Sequence, residues 1–581
     1  MKKKTLSLLS LLLCVCLLCG CSGVSGSLTG LLSQEREDYT VRTLCRFADM
    51  PYERPDLDAM RTKAAEIGEA LEKSARFRKV TGLLDELFAL YYTADTMAAI
   101  ADIRNCQDLT DEYYAEEYAW NAAAQAEISQ IMEGVYLACG ASSYAQRLEK
   151  DYFWEGFLEE YGPESESLLT DEYVALSARE SELIAQYRGL TNNPVIEIDG
   201  EEWFLGDWTY NAETDEEIAR GYDAFYEKYN PILGELYIQL VQLRKEEAKC
   251  LGFDSYADMQ FELGYGRDFT VEESDRFVDC VRETLVPLYE RIEEQGMWND
   301  VWYSLVEEQD LEDVLEAVAA AVGDEAAEAY AFMKKYELYD LRISADKPDM
   351  SFQTYLSDYE APYLFISPSG NSQDILTVTH EFGHYVESFI SFNADRTMDL
   401  AECFSQAMQY LALEPMRELY LDEEVDNLLQ INLLDSLETY VQQASFAAFE
   451  RAAFETEDLS VEKLNALSLQ LAEDYGYYDG VSEDYYAKSW IDIPHFFEQP
   501  FYVVSYPASA GVALEIFELE QAKPGAGFEK FLELSEAEDP GLIAAAESAG
   551  LHDPLSPERV REIAAFLERE LNAGAAGLAA A

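Results

Sequence analysis

Apolar residues recur at helical spacing over most of this chain, and the exceptions are short. From Asp56 to about Leu190, charged-apolar segments such as Arg78 to Ala98 and Glu112 to Cys139 are poor in glycine and proline and predict a run of helices. Alternation appears from Pro194 to Phe204 around Asp199-Gly200, so a small β-hairpin is expected there. Thr214-Asp215-Glu216-Glu217 reads as a capping box opening a helix with Ile218, Tyr222, Phe225 and Tyr229 on one face. Pro231 is expected to interrupt or restart that helix, which resumes through Leu240 and Leu243 and stops at Gly252. Gly264-Tyr265-Gly266-Arg267 reads as a turn or a hinge, since no strand precedes it and no G-K-[ST] follows; a second capping box opens at Thr270. Strand-like runs at Ser351 to Tyr355 and Pro362 to Ser367 predict a small sheet whose edge could pair with an extended peptide.

The next apolar set, Ile375, Leu376, Val378, Phe382, Val386 and Phe389, outlines a helix containing Thr379-His380-Glu381-Phe382-Gly383-His384, with turn and cap chemistry ahead of it at Gly370, Asn371 and Ser372. The chain has four histidines, and two of them stand here in H-E-x-x-H spacing. Residues four apart share a helix face, so both imidazoles point at one spot suited to zinc, with Glu381 beside it to handle the water. Gly383 costs about 1 kcal/mol of helix propensity, which suggests that another backbone comes close.

A catalytic zinc takes a third protein ligand and keeps a position for water. Glu402 is the candidate, on a second helix that Thr397 caps. Its neighbours Leu400, Ala401, Cys403, Phe404, Ala407 and Met408 are apolar, and a carboxylate buried in such company wants a cation. A solvated surface charge is the alternative. Asp399 is placed either to hydrogen-bond the outer nitrogen of a ligand histidine or simply to favour the helix start. His495 lies in an aromatic segment ending at Tyr506, where it is either a core residue or a donor to an oxyanion.

Composition changes the picture at the N-terminus and in the charge. Lys2, Lys3 and Lys4 precede an apolar run from Leu6 to Leu18, shorter than the ~20 residues of a spanning helix, and predict a secretory signal over residues 1–20. Leu18-Cys19-Gly20-Cys21 resembles the lipobox of bacterial lipoproteins. That resemblance implies a lipid on Cys21, anchorage outside the cytoplasmic membrane and a flexible tether over residues 21–50; an ordinary cleaved signal is the alternative. Six cysteines remain, Cys45, Cys106, Cys139, Cys250, Cys280 and Cys403, without C-x-x-C spacing, which argues against a disulfide framework. A net charge of −73 speaks against nucleic acid and anionic membrane surfaces as partners, and its spread along helices makes it chiefly a solvated surface. An Ala-rich tail, residues 573–581, is expected to be disordered.

Taken together these residues resemble the thimet oligopeptidase and oligoendopeptidase F group of zinc peptidases, the oligoendopeptidase F branch above all. The resemblance rests on Pro362 to Ser367, Asp374 to His384, Ala401-Glu402 with Ser405, Pro494-His495-Phe496, Pro500-Phe501-Tyr502 and Tyr506, and Ala549 to Asp553 with Ser556-Pro557. It implies one zinc ion held by His380, His384 and Glu402, Glu381 as general base, and His495 with one or both of Tyr502 and Tyr506 binding the scissile carbonyl. The implied fold is mostly α-helical, two lobes around a deep channel, with a helical subdomain over residues 51–190 and a catalytic domain over 191–572. The implied activity is hydrolysis of internal bonds in short unstructured peptides; a non-hydrolytic peptide-binding lipoprotein and a carboxypeptidase on the same scaffold are the alternatives. Two departures stand out. Gln409 occupies a position that is often acidic in the family, and Val504 or Ser505 replaces a tyrosine common between Tyr502 and Tyr506. His552 falls outside the motifs and reads as structural.

Overall fold

The computed structural model describes residues 42–578 except Glu155, Glu164, Glu166, Leu168, Leu169, Glu213 and Asp479. The signal at 1–20, Cys21 and most of the tether lie outside the described residues. The rest of the tether is packed rather than flexible: Phe47 and Met50 are buried in the main core, and the Arg42 amide donates to the Asp358 carbonyl at 2.7 Å. Apolar side chains at these positions have surface to gain by docking, which overrides the loop-like composition around them.

The N-terminal helical pattern folds as α1 (Leu57–Glu72), α2 (Phe77–Gln107) and α3 (Glu112–Gly140). Asp56 and Asp111 cap α1 and α3 through their carboxylates. The three helices enclose a core of their own that includes Ile67, Leu84, Phe88, Met132 and Tyr136. The far half of α2 leaves it, burying Met97, Ile100 and Ile103 in the main core instead. After two short helices, α4 (Asp171–Thr191) belongs to the main body: Leu183, Ile184 and Tyr187 join its core, and Tyr187 stacks on Phe497 at 4.0 Å. The small core therefore ends before α4, short of the expected boundary at 190, because the apolar face of α4 is turned to the next helix.

The hairpin forms as β1 (Val195–Ile198) and β2 (Glu201–Phe204), paired antiparallel with Ile198 opposite Glu201. Asp199 and Gly200 turn with φ of 58° and 82°, the left-handed pair a two-residue hairpin needs. Thr214 then caps α5 (Asp215–Cys250), which runs unbroken through Pro231, contrary to the expected interruption. Tertiary contacts on both sides of the proline hold it in line: Asn230 exchanges side-chain hydrogen bonds of 3.0 and 2.9 Å with Asn465, and Leu233 and Tyr237 are fully buried.

The second capping box opens α6 (Val271–Thr284) with both of its hydrogen bonds made. The sheet has three strands, β3 (Tyr339–Asp340), β4 (Phe352–Leu356) and β5 (Ala361–Phe365). Buried β5 lies at the centre, parallel to β3 and antiparallel to β4, so β4 is an edge strand. β5 leads into α7 (Gln373–Ser391), whose start is set by the Asp374 carboxylate reaching back to the amides of Ser369, Gly370 and Asn371. Then follow α8 (Met398–Leu411), capped by Thr397, and the long α9 (Asp422–Glu455). Last come α10 (Pro494–Glu498), α11 (Ser505–Ala522) and α12 (Pro557–Leu578).

The tail expected to be disordered is helical as far as Leu578. Alanine is the strongest helix former, and α9 offers a surface, with Gln430 donating to the Leu571 carbonyl at 3.3 Å. Residues 579–581 lie outside the described ones. All six cysteines of the described residues are free. No helix among the described residues is long and apolar enough to cross a membrane.

Candidate metal centre

The site is assembled where α7 lies against α8. At Gly383 an added Cβ would overlap the Phe404 carbonyl oxygen and stand 2.7 Å from Ser405 Cα, so the backbones touch there, as a glycine inside a helix suggests. This contact brings the carboxylate of Glu402, on one helix, to the imidazoles on the other. Glu402 Oε2 is 3.4 Å from His380 Nε2 and 3.9 Å from His384 Nε2, and the three ligand atoms lie within 4.8 Å of one another. Glu402 is fully buried, which disposes of the surface-charge alternative. Its other oxygen accepts the Tyr502 hydroxyl at 3.2 Å.

Burial pushes both imidazoles toward the neutral form; the charge of Glu402 opposes it at both, joined at His380 by a hydrogen bond. At His380 Glu402 wins and the pKa rises to about 9; at His384 burial wins and the pKa falls to about 4. Burial also lifts Glu381 to about 8, offset in part by His380 and by the backbone N–H of Gln353 on edge strand β4. His384 Nε2 and Glu381 Oε2 are buried with no hydrogen-bond partner among the described residues. A divalent ion at the meeting point and a water beside it would satisfy both, so two histidines and a carboxylate fit zinc in number, type and direction.

The supporting residues fall partly where the sequence puts them. Gln409 Oε1 stands 3.2 Å from His380 Nδ1, so the amide can accept the proton that a histidine bound through Nε2 carries on its outer nitrogen. Asp399 does not do this. Its carboxylate, one helix turn before Glu402, pairs with Arg267 at 3.1 Å, both side chains fully buried, because a buried guanidinium competes for the acid far better than a neutral ring. His495, Tyr502 and Tyr506 come together as one aromatic group. The His495 and Tyr502 rings are 5.5 Å apart and nearly parallel, and the Tyr506 hydroxyl is 3.3 Å from His495 Nε2. Burial pushes His495 down to about 4, so it is a neutral ring at pH 7. His552 sits apart, its Nδ1 2.7 Å from Glu515.

Three contributors were missed by sequence reasoning: Arg267, the Gln353 amide, and Glu450, which accepts the Phe501 N–H at 2.9 Å from beneath the tyrosine segment. A single arginine among aromatic residues in so acidic a chain was the one available signal. The other two are invisible without the fold.

Two family models match the chain. The Peptidase M3 N-terminal domain matches residues 47–159, and Peptidase family M3 matches residues 305–527, which contain α7 and α8. The chain belongs to peptidase family M3. Oligopeptidase PepF of Bacillus subtilis (strain 168) is 28% identical over 226 residues, 36% of this chain and 33% of the relative. The chromosomal oligoendopeptidase F of Lactococcus lactis subsp. cremoris is 30% identical over 167 residues, 27% of this chain and 28% of the relative. The aligned segments thus span about a third of the length of these curated relatives. The fold is shared over nearly the whole length: PZ peptidase A, solved with an inhibitor, has a TM-score of 0.76 over 91% of this chain and 99% of that chain, at 21% identity.

Proposed function

We propose that this M3 protein is a zinc-dependent oligoendopeptidase that hydrolyses internal bonds of short, unstructured peptides. The observation that carries the reading is the convergence of His380, His384 and Glu402 on one point, with the unpartnered Glu381 oxygen beside it. Zinc bound there would lower the pKa of a water and polarise the scissile carbonyl. Burial alone favours the protonated form of Glu381, and a divalent ion at the neighbouring ligands would favour the carboxylate, which takes a proton from the attacking water and delivers it to the leaving amine. The hydroxyls of Tyr502 and Tyr506, with neutral His495, form the donor group next to Glu402 that would stabilise the carbonyl oxygen as it gains charge. Edge strand β4, whose Gln353 amide already faces Glu381, is the element on which an extended peptide would lie, held by its backbone rather than its sequence.

The test is metal analysis of the purified protein together with a cleavage map of unstructured peptides amidated at the C-terminus. One zinc per chain and internal fragments are expected, and Glu381→Gln should keep the metal while hydrolysis falls about 10³-fold. Fragments absent from metal-loaded protein would favour a peptide-capturing protein instead. Loss of single terminal residues, confined to peptides with a free carboxylate, would favour a carboxypeptidase. For the N-terminus the reading is a lipid anchor on Cys21 that holds the enzyme outside the cytoplasmic membrane. Cys21→Ser should release it to the soluble fraction, and retention in the membrane would refute the anchor.

A further inference from the structure

Arg267 ends the short stretch that the sequence marks as a turn or hinge, and it belongs to neither the metal ligands nor the carbonyl donors. The chain reaches it through a π-type turn, Gln260–Gly264, after which the amides of Tyr265 and Arg267 donate to the carbonyls of Gln260 and Phe261, each at 2.8 Å. The turn folds the side chain inward until it is fully buried, with the guanidinium 4.4 Å from the Phe261 ring, 4.6 Å from Tyr265 and 5.3 Å from Phe269.

Every edge of the guanidinium is used. Nε donates to both oxygens of Asp399, on α8, at 3.2 and 3.1 Å. Nη1 donates to the Phe501 carbonyl at 2.9 Å, and Nη2 to Ser505 Oγ at 2.8 Å and the Tyr502 carbonyl at 3.4 Å. Tyr265 adds its hydroxyl to the Pro500 carbonyl at 2.9 Å. The segment so gripped is strained: Phe501 has φ of 65°, and its amide is held from the other side by Glu450. Tyr502 then returns to α8 by donating its hydroxyl to Glu402 at 3.2 Å. Arg267, Asp399, Glu402 and Tyr502 therefore form a closed circuit, and only a flat ion with diverging donors can span it.

We infer that Arg267 is a positioning residue, clamping residues 501–505 onto α8 so that the Tyr502 phenol is set relative to the carboxylate of Glu402. What the phenol does once it is set rests on the hydrolytic reading above; the clamp itself does not. Arg267→Lys keeps the charge but cannot reach both sides. It is expected to retain its zinc and to raise amide hydrogen exchange over residues 501–505 about tenfold, with the core of α1 to α3 unchanged. It should lower kcat about tenfold with KM nearly constant. Tyr502→Phe should cost about tenfold in the wild type and almost nothing in the Arg267→Lys background, because the phenol is already displaced.

Unchanged exchange over 501–505, or an equal loss from Tyr502→Phe in both backgrounds, would overturn the inference. If Arg267→Lys does not fold, Ser505→Ala removes one acceptor and leaves the packing intact. It should shift the same two readouts about threefold in the same directions, and no shift in either would also overturn the inference. Wild-type protein that cleaves no peptide would sink the hydrolytic reading while the exchange measurement still decides the clamp.

Discussion

The chemistry of the site turns on what each side chain meets at its far atom. His380 and His384 are alike in sequence, yet Glu402 raises one to about 9 while burial drops the other to about 4. Gln409 supports His380 with a neutral amide rather than an acid, and the difference is measurable. A carboxylate there would accept the Nδ1 proton more strongly and make the ring a better donor to metal. Gln409→Glu is therefore expected to tighten zinc about tenfold in competition with a chelator. The H-E-x-x-H residues were legible because helix periodicity alone makes His380 and His384 converge. The partner of Asp399 was not, because Arg267 lies 132 positions away in the chain and reaches it only through folding.

At the scale of elements, the approach of α7 and α8 sets the distance between the histidines and the third ligand. Gly383→Ala would place a methyl group against the Phe404 carbonyl and Ser405 Cα. The helices must then part, at a cost of about 1–3 kcal/mol, and Glu402 moves away from the imidazoles. Lower thermal stability and weaker zinc binding are expected together; wild-type zinc affinity in a folded variant would show that the spacing is not set here. α9 contributes Glu450 beneath the tyrosine segment, where burial raises its pKa from the ordinary 4.5 to about 8. Between those values the folded chain keeps a proton that the unfolded chain has lost, so this group's contribution to stability falls as pH rises. Glu450→Gln still offers an oxygen to the Phe501 amide but does not titrate. Denaturant unfolding at several pH values should show it gaining on the wild type from about pH 4.5 to about 8, by at most about 1.4 kcal/mol per pH unit.

Across the whole molecule the dominant quantity is the charge of −73. A field of that sign should draw cationic peptides to the site. At low salt a basic peptide is expected to show kcat/KM about tenfold above its acidic counterpart, with the gap closing once salt screens the field. Equal values at both salt concentrations would reduce the charge to solubility alone. Local rules were enough for much of this chain. They named the helical class, the Asp199-Gly200 hairpin, the two strands before the metal helix, and the face on which His380, His384 and Glu381 act, since each depends on neighbours a few residues away. Long-range packing, by contrast, carries α5 through Pro231, draws α4 into the larger core and lets the alanine-rich end continue as helix. It also sets Arg267 and Glu450 on the segment bearing Tyr502. Those outcomes depend on which surfaces meet after collapse, and burial against a distant partner outweighs the roughly 1–3 kcal/mol that local propensity contributes at any one position.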